Sequence, residues 1–434
     1  MARKARFHVP PSVKQTTKSW SILLLAAALL FAALPGSAAE EAGFPNAAQR
    51  AAEFAGFCQF VEDEYAYFGT KKTDWPRACS FYAAQAEGAT DRSAYVTLLE
   101  QALAELYDAH AHLGTNTPQS PRLVPTQTSL FGAWRAGKAI IVAVRQGSAA
   151  ERAGLRQGAE VLAVDGEPIG ATLSRLEPKF LSQPDDAARD WALQVALAGH
   201  RDRAAVRLEV RLNGAPRAFE FIAEAPPPAA LLSHRSVGRV GHVRIHNSLG
   251  EPGLVQAFDA ALAAMPNASA LVLDLRDTPS GGTSSVARGL MGRFVRQPAP
   301  YQRHELVSEF RSHGVRRIWV EYVAPRGTPF LRPVVVLVGH WTGSMGEGIA
   351  IGLNAARGAP VLGAPMAHLL GALGETTLAY SKIVVRVPTE KLFHVDGRAR
   401  EAFVPRAIAS TGTAPGTDPE LDAAATVAMK AGSR

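Results

Sequence analysis

The sequence predicts an α/β protein with a mostly parallel sheet at its core, preceded by a helical N-terminal segment and a separate strand-rich module. Three observations carry this. From residue 237 onward, short aliphatic runs alternate with amphipathic stretches at helical spacing, the βαβ pattern of a sheet covered on both faces. Residues 129–222 show strands divided by turn residues, and residues 40–117 place apolar side chains at helical intervals. The chain has 434 residues, 47% of them hydrophobic, enough for two or three domains with full cores. The composition shifts divide it into 1–39, 40–122, 123–225 and 226–434.

The first segment is read as a secretory signal peptide. Arg3, Lys4, Arg6, Lys14 and Lys18 form a basic head, Ile22 to Leu34 is apolar, and Pro35-Gly36-Ser37-Ala38-Ala39 supplies a helix break and small residues for cleavage. Export to the periplasm or the medium is the expected outcome, with no membrane span left after cleavage. The leader carries much of the formal charge of +7, and without it 41 basic residues face 39 acidic ones. That balance argues against a nucleic-acid partner. Cys58 and Cys79, the two cysteines of the chain, are expected to form a disulfide in an oxidising compartment.

Asp91 caps a helix expected over 92–107, with Leu98, Leu99, Ala102, Leu103 and Leu106 on one stripe. It runs into Tyr107-Asp108-Ala109-His110-Ala111-His112, and a Pro- and Thr-rich connector follows. In the middle module, Lys138–Val144 reads as a strand, Gly147–Leu155 as a turn, short helix and glycine stop, and Val161–Val164 as a strand ending in the Asp165-Gly166 turn. A hairpin is expected around Asn213-Gly214, and Ala225-Pro226-Pro227-Pro228 reads as a stiff linker. In the last domain, strands are expected at Val240–Ile245, Ala270–Leu275, Pro333–Gly339, 360–362, 375–387 and 392–395. Helices are expected at 252–265, from about 283, and over 345–356.

Ser344 lies where an apolar strand meets a helix, in Thr342-Gly343-Ser344-Met345-Gly346-Glu347. A serine there is displayed at the sheet's carboxyl edge, beside the free N–H groups of a helix N-terminus. It is either a nucleophile, with Met345 N–H as an oxyanion donor, or a plain helix cap. Asp274-Leu275-Arg276-Asp277-Thr278-Pro279-Ser280-Gly281-Gly282 follows the preceding strand, and its glycines allow close backbone approach.

These motifs resemble the tail-specific, or C-terminal processing, serine peptidases. Gly147 to Pro168 is similar to the carboxylate-binding half of a bacterial PDZ domain, Asp274 to Gly282 to the family's Gly-Gly turn, and Ser344 to Glu347 to its nucleophile loop. The resemblance implies a crotonase- or ClpP-like core with an inserted PDZ domain and no cofactor. It implies Ser344 as nucleophile, and Met345 with Gly281 or Gly282 as oxyanion hole. The polypeptide substrate's ends would be held by the PDZ domain. The lysine of the family's Ser–Lys dyad is missing from Gly363–Gly374, so the tricorn-like branch is the nearer likeness. That likeness implies His110 as base, with His112 two residues away, and Glu401 as its orienting carboxylate. Two other readings stay open. One is a metal-dependent hydrolase using Asp108, His110 and His112. The other is a non-catalytic peptide-binding protein on a peptidase-like core.

Overall fold

The computed structural model describes residues 44–202, 205–222, 230–408 and 418–432. The expected export signal and the proline-rich stretch at 225–228 lie outside the described residues.

The N-terminal segment forms α1 (Ala47–Glu64), α2 (Trp75–Glu87) and α3 (Arg92–Ala104). Each begins at a side-chain cap, from Asn46, Asp74 and Asp91, which accept the N–H groups of Gln49, Arg77 and Ala94. A disulfide joins Cys58 on α1 to Cys79 on α2. The apolar faces, with Phe54, Phe57, Tyr95 and Leu99, pack onto Val385 and Val387 of the last domain. A two-residue strand, β1 (His112–Leu113), continues that contact.

The middle module contains β2 (Leu130–Arg135), β3 (Lys138–Val144), α4 (Ala149–Arg152), β4 (Glu160–Val164), β5 (Glu167–Pro168) and α5 (Ile169–Leu176). It continues with α6 (Asp186–Ala198), β6 (Ala205–Leu212) and β7 (Ala215–Ile222). The strands form one antiparallel sheet in the order β2-β3-β4-β6-β7, with β5 paired to β4. Its turns follow from their residues: Asp165-Gly166 and Asn213-Gly214 hold left-handed conformations in succession at the two hairpins.

The last domain comprises β8 (Leu232–Val237), β9 (Val240–Ile245), α7 (Leu254–Ala263), β10 (Ala270–Asp274), α8 (Ser284–Met291), β11 (Ala299–Leu306) and α9 (Val307–His313). It continues with β12 (Arg317–Val323), β13 (Val334–Val338), α10 (Met345–Arg357), β14 (Val361–Gly363), β15 (Ala372–Thr377), β16 (Val384–Phe393) and α11 (Pro419–Gly432). One sheet runs β14-β13-β10-β9-β8, parallel except for β8. Its central strands are buried on both faces. Leu271, Leu273, Val334 and Val336 meet the helices on one side, and Val272, Val335 and Leu337 meet Leu421 and Ala424 of α11 on the other.

The second sheet, β1-β16-β11-β12 with β15 on β16, is antiparallel throughout. The core is therefore mixed, which corrects the expectation of a mostly parallel one. The antiparallel strands carry charged residues along their length, as in Arg303, Glu305, Arg317 and Glu321, and so lack the continuous apolar runs that mark parallel strands.

Candidate active site

Because β10 and β13 are neighbours and parallel, the loops at their carboxyl ends lie side by side. Thr278 N–H donates to the Trp341 carbonyl (2.9 Å), and Gly343 N–H donates to the Thr278 carbonyl (3.1 Å). The hydroxyls of Thr278 and Thr342 both donate to the Leu275 carbonyl, at 2.9 and 2.8 Å. Two loops that would otherwise be independent are thus fastened into one unit.

Ser344 sits at the end of this unit, immediately before α10, with φ 49° and ψ −112°. That positive φ costs a non-glycine residue about 1–2 kcal/mol and needs its surroundings to hold it. Glu347, one turn into α10, does so by accepting Ser344 N–H at 2.8 Å. The same carboxylate accepts the N–H groups of His368 (3.0 Å) and Leu369 (3.2 Å). Glu347 is buried, and burial pushes its carboxyl pKa up, while the Arg400 guanidinium 3.9 Å away opposes that rise. Arg400, itself buried, donates to the carbonyls of Ser344 (3.3 Å), Leu369 (2.5 Å) and Gly371 (3.0 Å). The Ser344 loop is therefore tied to residues 368–371 through both a carboxylate and a guanidinium.

Gly281 lies against the serine. A Cβ placed on it would stand 2.4 Å from Ser344 Cβ, 2.8 Å from Met345 N and 2.9 Å from Ser344 Oγ, and its φ is +63°. Only glycine satisfies both conditions. Of the two glycines expected as alternative oxyanion donors, Gly281 has its N–H donated to the Thr278 carbonyl at 3.1 Å inside the turn. Among the described residues, the N–H groups of Met345 and Gly282 have no backbone acceptor.

His110 reaches residues 368–371 from the N-terminal segment. Its Nδ1 lies 2.6 Å from the Leu370 carbonyl, and its own N–H donates to Asp108 Oδ1 at 2.9 Å. A carbonyl can only accept, so Nδ1 carries the proton and Nε2 is left as the basic nitrogen. The ring is buried, and burial first, then the Arg400 charge, lowers its pKa to about 4 against the opposing Leu370 bond and Asp108. The His112 ring turns back on the chain instead. Its Nδ1 donates to the His110 carbonyl at 2.8 Å, and burial lowers its pKa too.

Glu401 is not the partner of His110 here. The Leu370 carbonyl occupies the Nδ1 position expected for it, while the Glu401 backbone carbonyl accepts His368 Nδ1–H at 2.7 Å. Glu401 Oε2 is buried without a hydrogen-bond partner, and its charge helps burial to raise the pKa of the Tyr67 phenol. Asp108 is satisfied by Tyr65 OH (2.8 Å) and His110 N–H. Asp108, His110 and His112 therefore do not converge on a point. Among the described residues no group of three or more His, Cys, Asp or Glu side chains is placed to hold a metal ion.

A cleft of about 950 Å³ runs beside this constellation, between the middle module and the core. Its walls include Tyr107, Phe131, Arg145, His340, Trp341 and His368, while Ser344 and His110 lie outside them. His340 stacks on Phe131 with ring centres 4.5 Å apart, and burial lowers its pKa to about 4. Arg145, just after β3, forms an ion pair with Asp277 and thereby ties the module to the Gly281 loop. Arg400 and the Leu370 carbonyl are the parts of this site that local sequence does not mark, since one is a lone arginine and the other a backbone group.

Residues 239–405 match the family model Peptidase family S41, and residues 140–179 match a PDZ domain model. No curated protein matches the chain in sequence. Among solved structures, mature CPAF in complex with lactacystin is 16% identical, with a TM-score of 0.54 over 89% of this chain and 98% of that one. The photosystem II D1 C-terminal processing protease is also 16% identical, with a TM-score of 0.53 over 87% and 96% of the two chains. At that identity both likenesses speak for the fold.

Proposed function

We propose that this chain, whose residues 239–405 match the model of peptidase family S41, is an exported serine-type endopeptidase with Ser344 as nucleophile and His110 as base. The observation that carries the reading is the geometry of Ser344. A non-glycine residue is held at positive φ at a helix N-terminus, with Gly281 cut back to clear its Oγ. Ser344 and Glu347 form a capping box at the start of α10, but a cap alone needs no positive φ, and the strained turn is read as one that displays a nucleophile.

In this reading His110, neutral and fixed by Leu370, receives the Ser344 proton at Nε2 as Oγ attacks the scissile carbonyl, and returns it to the leaving amine. The oxyanion that forms is taken by the N–H groups of Met345 and Gly282, aided by the positive end of α10. The Leu370 carbonyl fixes the tautomer, as a carboxylate does in other triads. The substrate is an extended polypeptide entering along the 950 Å³ cleft, with its end held by the PDZ module. The disulfide and the basic, then apolar, N-terminus support export.

A second reading, a non-catalytic peptide binder, is favoured by one observation, the Leu370 carbonyl standing on His110 where Glu401 would be expected. Hydrolysis of unfolded casein by the wild type and by Ser344→Ala separates the two. The proposal requires that the variant lose at least about 10³-fold in rate, and equal hydrolysis by both proteins would overturn it.

A further inference from the structure

We propose that α6 closes the peptide-docking edge of the PDZ module and that Gln194 is the latch. The proposal rests on reading the module as a peptide binder, and it concerns binding alone, whatever the role of Ser344.

β2 is an edge strand, paired with β3 on one side only. A peptide docking there would lie about 4.8 Å away and bond the N–H and C=O groups that point away from β3. In this chain those groups are already engaged by side chains of α6. Gly132 N–H donates to Gln194 Oε1 (3.4 Å), and Gln194 Nε2 donates back to the Gly132 carbonyl. One side-chain amide thus pairs with both backbone groups of one residue, as a neighbouring strand would. Two residues on, Trp134 N–H donates to Asp190 Oδ1 at 2.5 Å. Asp190 and Gln194 lie one turn apart on α6, while Gly132 and Trp134 share one edge of β2, so the helical and strand periods match.

The seat is also too narrow for a strand. A Cβ on Gly132 would stand 2.6 Å from Leu197 Cδ1 and 3.1 Å from Leu193 Cδ2. Gln194 is 7% exposed, so its amide has little water to turn to and stays on the edge. A peptide must therefore displace Gln194 and Asp190 and shift α6, and its apparent affinity falls by the fraction of molecules in which the latch is open. The latch faces the cleft that also contains His340 and Trp341, so opening it would lengthen that cleft along β2.

The test uses the full chain carrying Ser344→Ala, so that the probe survives. The probe is a fluorescein-labelled ten-residue peptide ending Ala-Val-Leu with a free carboxylate. Adding Gln194→Ala is expected to tighten binding about tenfold in fluorescence polarisation, the equivalent of one net hydrogen bond. Hydrogen exchange at the Gly132 and Trp134 amides should quicken in that variant and slow again when peptide is added. Gln194→Glu, which keeps the size but sets a carboxylate against the Gly132 carbonyl, should act in the same direction. Peptide binding with unchanged affinity and unchanged exchange in both variants would overturn the latch alone. Binding that leaves the Gly132 and Trp134 amides unprotected would overturn the docking edge. Failure of every variant to bind the peptide would overturn the reading of the module as a peptide binder, and the latch with it.

Discussion

Gly281→Ala is the perturbation whose size the structure fixes most closely. The new methyl would stand 2.4 Å from Ser344 Cβ, 2.8 Å from Met345 N and 2.9 Å from Ser344 Oγ. Carbon atoms in contact prefer roughly 3.5–4.0 Å, so Ser344 or the Gly281 turn must move by about 1 Å. A displacement of that size at a nucleophile costs about 10²-fold in rate, or about 2.7 kcal/mol of barrier. The cost to the fold is separate. The φ of +63° and the overpacking together remove about 2–5 kcal/mol of stability, which lowers the melting temperature. The assay is steady-state hydrolysis of an internally quenched peptide, paired with thermal unfolding followed by circular dichroism. Gly250→Ala serves as control, since a Cβ there meets nothing within 4 Å. If a folded Gly281→Ala protein hydrolyses within about threefold of wild type, Ser344 Oγ does not react from this position, because an intact rate is incompatible with a reacting oxygen in contact with the new methyl.

Three further outcomes are expected. The base must be neutral to act, and His110 takes up its second proton only below about pH 4, so the acid limb of kcat/KM should fall near 4 and not near 6.5. A pH–rate profile checks this, and a limb near 6.5 contradicts it. Glu347→Gln keeps the shape but turns an amide N–H toward one of three backbone N–H groups, so it should cost about 1–3 kcal/mol in denaturant titration and lower kcat more than it changes KM. Reducing the Cys58–Cys79 bridge, which spans 21 residues, should remove about 3 kcal/mol from the unfolding of α1 and α2, seen as an earlier melting transition under dithiothreitol.

Much of this is legible in the sequence where burial is complete. Val334–Val338 is apolar throughout because both faces are covered, and such a run identifies a parallel strand without any partner being known. Asp91 marks the start of α3, and Asn213-Gly214 marks a hairpin, because those side chains act on their own backbone. The outer sheet is less visible. Strand patterns at 375–387 and 392–395 correspond to β15 and β16, which run 372–377 and 384–393, since the turn between them, Leu378-Ala379-Tyr380-Ser381-Lys382-Ile383, contains neither glycine nor proline. The helix α6 carries local marks too, the Asp185 cap and the stripe of Ala188, Ala192, Leu193, Ala196 and Leu197, but nothing local distinguishes Asp190 and Gln194, which engage β2, from other polar helix residues. At the site, Ser344 is readable from its junction, whereas Arg400 and the Leu370 carbonyl act through contacts that span 56 and 260 residues of chain. Long-range pairing of that kind leaves no local periodicity.

Whether Ser344 is a reactive hydroxyl with His110 as its base can be read from a single covalent modification. A fluorophosphonate, with the site of attachment located by peptide mass spectrometry, should form its adduct on Ser344 in the wild type and none in a folded His110→Ala protein. Labelling of Ser344 that is equally fast without His110, or an adduct on any other serine, would contradict that assignment.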